Sequence, residues 1–252
     1  MRNLLITFLL LLCFTAYSQE AKDTQVIVRT QAKDAKFIGT SMGGSLIIIR
    51  DAQTHEVLAK GLTEGGTGNT GIIMNTPRER YMDITEGAAR FETTLRLTKP
   101  VLVDIEAIGS VNHESSVVSQ TQVWLIPGKH MDDQGIILEI PGFVVDGLYP
   151  QAHQGFSIEK DIEIELKANI VMMCGCTISS GGTWDSDPME VEAAIYVNGT
   201  YWKTISMSNP TDNTFTAPLK LEKTGSHEVI ITAYHPDSKN TGVDQLYFRV
   251  SN

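Results

Sequence analysis

The sequence predicts an all-β protein, two β-sandwich units in tandem behind a cleaved export signal. Three observations carry this expectation. Short runs rich in Val, Ile, Thr and aromatic residues recur between clusters of Gly, Asn, Asp and Pro. No stretch sustains a 3.6-residue apolar period. The one long apolar run stands at the N-terminus, where a secretory leader belongs.

The leader has three parts. Arg2 supplies the positive end, and Leu4 to Phe14 is almost unbroken in its apolarity, yet shorter than the roughly 20 residues a spanning helix needs. Ala16-Tyr17-Ser18 places small residues at the −3 and −1 positions of a cleavage site, predicting removal of residues 1–18 and a mature start at Gln19. Acylation of Cys13 is the alternative, but leucines precede it where a lipoprotein signal carries small residues. The expected address is therefore the periplasm or the outside of the cell. No later run is long enough to span a membrane. The chain carries 30 Asp and Glu against 20 Lys and Arg, without a basic block, which excludes nucleic acid and anionic lipid as expected partners.

Strands are expected in order along the chain. Ser45 to Arg50 reads as a buried strand, Asp51 to Glu56 as a turn, and Val57 to Lys60 as the return. Phe91 to Leu97 and Val101 to Ile108 flank a corner at Lys99-Pro100, and Gln122 to Ile126 and Ile136 to Ile140 complete a first unit, residues 19–145. The Gly142 to Pro150 stretch reads as the boundary. The second unit, residues 146–252, opens with the cleanest alternation of the chain. Ile162, Ile164, Leu166, Ala168, Ile170 and Met172 lie in one phase, and Asp161, Glu163, Glu165, Lys167 and Asn169 in the other. Val197-Asn198-Gly199-Thr200 signals a two-residue type I′ hairpin, which in simple register sets Ile195 opposite Trp202 and Ala193 opposite Thr204. His227 to Tyr234 and Gln245 to Val250 form a last pair across a turn at residues 235–242. About seven short strands in roughly 100 residues is the density of a sandwich.

Gly225 to Tyr234, Asn240-Thr241-Gly242 and Phe248-Arg249-Val250 resemble the last strands of bacterial immunoglobulin-like domains. Ile48 to Thr63, with Asp51-Ala52-Gln53-Thr54 and Val57-Leu58-Ala59, is similar to the start of carboxypeptidase-regulatory-like β-sandwiches. The resemblance implies exported immunoglobulin-like modules used for binding or spacing, and it carries no catalytic residue with it.

Several motifs match on paper and fail in context. Gly39-Thr40-Ser41-Met42-Gly43 fits the nucleophile-elbow pattern, but a strand follows it where that chemistry needs a helix. Gly66 to Gly71 fits the dinucleotide fingerprint, but Pro77 cuts short any helix that would cradle a pyrophosphate, leaving a surface loop. Asn198-Gly199-Thr200 is a glycosylation sequon by pattern, explained by its hairpin and expected to carry no glycan. Asp185 and Asp187 fall short of a calcium loop, which needs six to eight oxygens. Histidines 55, 113, 130, 153, 227 and 235 lack zinc spacing and read as surface or rim residues.

The unusual segment is Met172-Met173-Cys174-Gly175-Cys176. Without the leader, Cys174 and Cys176 are the only cysteines. Three readings stand side by side. An oxidising compartment favours a disulfide between them, provided Gly175 bends the chain, since extended residues two apart sit near the upper limit for bridging. A continuing strand would aim Met172, Cys174 and Cys176 the same way as a soft-metal set for copper or zinc, with His153 or His235 as a further donor. Inert thiols packed in the core are the third. The function expected is a non-enzymatic binding or adhesion module for a protein, glycan or cell-surface partner. The alternative is a thiol-based soft-metal or redox protein.

Overall fold

The β-branched runs become strands, and their alternation decides which face each one buries. A computed structural model describes residues 19–114, 116–158 and 162–252. The leader, with Cys13 and the expected cleavage site, lies outside them, as does Asp161 of the alternating segment.

In the first unit β1 (Lys22–Ala32), β2 (Leu46–Asp51), β3 (Val57–Leu62), β4 (Glu64–Thr67), β5 (Ala88–Leu97), β6 (Val101–Gly109), β7 (Val117–Leu125) and β8 (Met131–Ile140) form two four-stranded sheets. Their orders are β4-β5-β1-β8 and β3-β2-β6-β7. Ile47, Ile49, Val103, Ile105 and Ala107 point from the second sheet into a core shared with Val26, Val28 and Leu138 of the first. The central strand β1 is buried on both faces. Its Arg29 is almost fully enclosed and donates to the Ala88, Ala89, Asp133 and Gln134 carbonyls at 2.6–3.3 Å. That one side chain ties β1 to β5 and to the start of β8. Burial and then the charge of Arg90 lower its pKa.

The second unit holds β9 (Phe143–Tyr149), β10 (Gly155–Ser157), β11 (Glu163–Met172), β12 (Ile178–Ser179), β13 (Trp184–Asp185), β14 (Glu190–Val197), β15 (Thr200–Ser206), β16 (Ser208–Thr211), β17 (Thr214–Lys220), β18 (Gly225–Tyr234) and β19 (Thr241–Ser251). One sheet runs β16-β17-β11-β9, the other β10-β19-β18-β14-β15, with β12 and β13 as a small separate pair. This is the immunoglobulin order, four strands facing a sheet built on the final pair and the central hairpin. β10 pairs parallel with β19, and β9 antiparallel with β11, so the opening chain of the unit contributes to both sheets.

Among the described residues no strand pair joins 22–140 to 143–251. The pairing changes at Pro141-Gly142, and a division after residue 145 runs through β9. The stretch read as a boundary is thus partly a strand, its apolar Phe143-Val144-Val145 hidden from the pattern by Gly142, Gly147 and Pro150. One large apolar cluster nevertheless draws buried residues from both units, while Phe37, Ile84 and Ala88 form a small separate one.

One register and one loop differ from expectation. A bulge at Trp202 sets Ile195 opposite Lys203 and Ala193 opposite Ile205, although Val197 and Thr200 do flank the turn. Residues 64–67 pair with β5 as a strand, followed by a single π-type turn, Gly71–Asn75, in place of a continuous surface loop.

Candidate functional site

The alternation of β11 places Ile164, Leu166, Ala168 and Ile170 inside, with Glu163, Glu165 and Lys167 in water. Beyond Ile170 it ends: Val171, Met172, Met173 and Cys174 are all buried. The strand stops at Met172, so the shared direction expected for Met172, Cys174 and Cys176 does not arise. The chain turns instead. Gly175 takes φ +76°, its N–H donates to Met172 O at 2.7 Å, and the Met172 N–H donates to Cys176 O at 3.2 Å. The bend brings the two cysteine Cα atoms to 5.4 Å, within bridging range, with the sulfurs at bonding separation. Both residues are enclosed in the core, and among the described residues no three of His, Cys, Asp and Glu converge as a metal cluster would.

Gly175 also meets the first unit. A side chain there would fall onto Met42, whose Cγ lies 3.0 Å from the position a Cβ would take. Met42 belongs to the 3₁₀ turn Thr40–Met42, the centre of the nucleophile-elbow pattern. Ser41 is exposed, and the pattern leads straight into β2. The glycines have a packing role instead: a Cβ on Gly39 would stand 2.8 Å from the Gly65 carbonyl, so the two Gly-rich loops lie backbone on backbone. The Gly65 N–H donates to Thr40 Oγ1 at 3.0 Å, fastening them.

Next to the cysteine turn a cavity of about 340 Å³ opens between the units. Met172 lines it, together with Trp184, Asp185 and His235 of the second unit and Asp34 of the first. The Trp184 indole N–H donates to Asp34 O at 2.9 Å, bridging the two units. Asp185 accepts the N–H groups of Gly181 (2.8 Å) and Asp187 (3.0 Å). Those bonds, Asp187 foremost, and the facing His235 hold its carboxyl below the usual carboxylate range. Asp185 thus closes its own loop, and Asp187 contributes a backbone N–H to it.

The other histidines are scattered. His55 and His153 sit at positive φ in turns, and His130 Nδ1 accepts the Gln25 N–H at 3.0 Å. His113 stands 3.5 Å from Asp146 across the junction. His227 is fully buried, a correction to its reading as a surface residue. Its phase within β18 matches Val229, Ile231 and Ala233, and that alternation was the available signal. The junction cavity itself had no signal, because its walls come from residues far apart in the chain.

No protein-family model matches the chain, and no curated protein matches it. Among solved structures, fibronectin(III)-like modules of CbhA from Clostridium thermocellum match over 90% of this chain and 94% of theirs, at 12% identity and a TM-score of 0.29. The complex of Dpr11 IG1 with DIP-gamma matches over 92% of each chain, at 10% identity and a TM-score of 0.25. Escherichia coli alpha-2-macroglobulin activated by porcine elastase matches 93% of this chain and 22% of its own, at 8% identity and a TM-score of 0.23. The sandwich assignment rests on the strand pairing of this chain, and function takes nothing from these likenesses. Among the described residues no helix is long and apolar enough to cross a membrane.

Proposed function

We propose that this chain is an exported, non-enzymatic adhesion or binding module of two β-sandwich domains, with residues 1–18 removed on export and Cys174 and Cys176 closed as a disulfide. One observation carries the binding role: the outer face of the β3-β2-β6-β7 sheet is apolar at its two ends. Leu62, Leu46, Ile108 and Val118 stand opposite one another across all four strands. Trp124, opposite Leu102, and Val57, opposite Arg50, occupy the other end. Val118 and Trp124 are 57% and 54% exposed. Lys60 and Glu106 lie between, and Arg50 and Asp104 stand beside Val57, giving the mixed apolar and charged character of a protein interface. The edge strand β7 carries no Lys, Arg or Pro, so its backbone is open to an added strand. An aliphatic row with a free edge suits a protein partner on the cell surface better than a glycan.

The test starts from the mature protein purified from the exported fraction. It should begin at Gln19 and bind to cell envelopes. A Leu62→Lys/Val118→Lys variant should lose that binding with an unchanged melting temperature; undiminished binding, or no binding by the parent, sinks the reading. Thiol titration with and without reductant, together with metal analysis, addresses the cysteines. Two thiols appearing only after reduction fit the disulfide. Stoichiometric copper or zinc that vanishes in a Cys174→Ser/Cys176→Ser variant would replace it with the soft-metal reading.

A further inference from the structure

The junction cavity combines three features that no motif announced. Its walls are apolar, from Phe143, Met172, Ile178 and Met189, with Trp184 as the aromatic member. Asp34, Asp185 and Asp237 are its acidic lining residues, Asp34 and Asp237 both exposed at its rim. Among the described residues no lysine or arginine lines it. At about 340 Å³ it falls at the small end of ligand-pocket sizes, roughly 300–1,000 Å³, enough for a single-ring molecule.

We propose that this cavity binds a small organic cation, an ammonium or guanidinium group on a flat or apolar body, held between the Trp184 side chain and the acidic rim. The body replaces water against the methionine and isoleucine walls, while the cation meets an indole and three acidic residues, with His235 the one basic residue among the described lining. A metal ion suits the site less well, because no three of His, Cys, Asp and Glu among the described residues converge on one point. A negative potential spread across the rim fits a diffuse, weakly hydrated organic cation instead. Anions are repelled by the same carboxylates, and Asp185 stays ionised because its loop N–H groups hold it so. Since Asp34 belongs to the first unit and the other lining residues to the second, an occupant bridges the two. This site is separate from the outer face of the first unit and stands or falls independently of it.

The experiment uses the full mature protein and three probes of one shape: benzylammonium, benzyl alcohol and benzoate. The readout is the indole N–H resonance of Trp184, assigned with Trp184→Phe. Benzylammonium should shift that resonance saturably. Asp185→Asn/Asp237→Asn, which keeps an acceptor oxygen for the 181–187 loop, should weaken it by about tenfold, as expected on losing charged partners. Binding should also weaken as salt rises. Equal shifts from benzyl alcohol or benzoate would overturn the proposal. So would an unsaturable response to benzylammonium in a protein whose melting curve is intact, or an affinity untouched by the double substitution.

Discussion

His227 stacks on Phe248 with ring centroids 4.9 Å apart and meets the edge of Trp202 at 6.2 Å. Among the described residues its Nε2 has no hydrogen-bond partner. Burial, partly opposed by the Gly225 carbonyl, lowers its pKa below the ordinary value of 6.5. In the window below that value the unfolded chain binds a proton that the folded chain refuses. The stability attached to His227 is therefore complete above about pH 6.5 and falls as pH drops toward the folded pKa. His227→Phe should fill the same slot without the titration. Its urea midpoint should fall less than that of the parent between about pH 7.5 and 5.5. Equal losses in the two proteins would show that His227 does not carry the effect. The buried position was legible in the alternation of β18; the missing partner of Nε2 was not, because it depends on which rings close around it.

The β14–β15 hairpin shows how much one short signal specifies. Asn198 and Gly199 have φ of +51° and +76°, the paired left-handed conformation of a type I′ turn. Asn198 has a second role: its Oδ1 accepts the Ser226 N–H at 3.0 Å, pinning the turn to β18. Asn198→Ala loses the bond and strains the backbone, and should cost about 1–3 kcal/mol in urea unfolding. Asn198→Gly loses only the bond and should cost about 1 kcal/mol. An equal cost for both would assign the effect to the bond alone. The register beyond the turn was not legible, since a bulge is chosen by the packing of Trp202 and its neighbours. β1 was missed for a related reason: Thr24, Arg29 and Thr30 are polar yet buried, bonded by Gly128, by carbonyls of β5 and β8, and by Ser45, and a polarity pattern reads them as solvent-facing.

Side-chain hydrogen bonds to backbone groups join the units beside their apolar contact. Asn240, fully buried, accepts the Gly142 N–H at 2.9 Å and donates to the Lys33 carbonyl at 3.0 Å. A turn between two late strands is thereby bonded to the linker and to the first unit at once. Asn240→Leu would leave that N–H and carbonyl without partners, a cost of about 1–3 kcal/mol for each group that stays dry. With one large apolar cluster drawn from both units, the loss should appear as a lower melting temperature of a single transition. Two separated transitions, with only one of them shifted, would show that the junction does not couple the units.

The sequence by itself determined the all-β class, the inward face of β11, the type I′ turn and the thiol content left once the leader is set aside. Each of these depends on residues close together in the chain, through side-chain alternation, φ preference or simple count. Tertiary structure alone decided that Arg29 and Asn240 are buried as ties, and that Asp34 meets Trp184 at a cavity. Those outcomes depend on which distant groups arrive to satisfy a polar atom or to cover an apolar one, and no local pattern encodes an arrival from more than a hundred residues away.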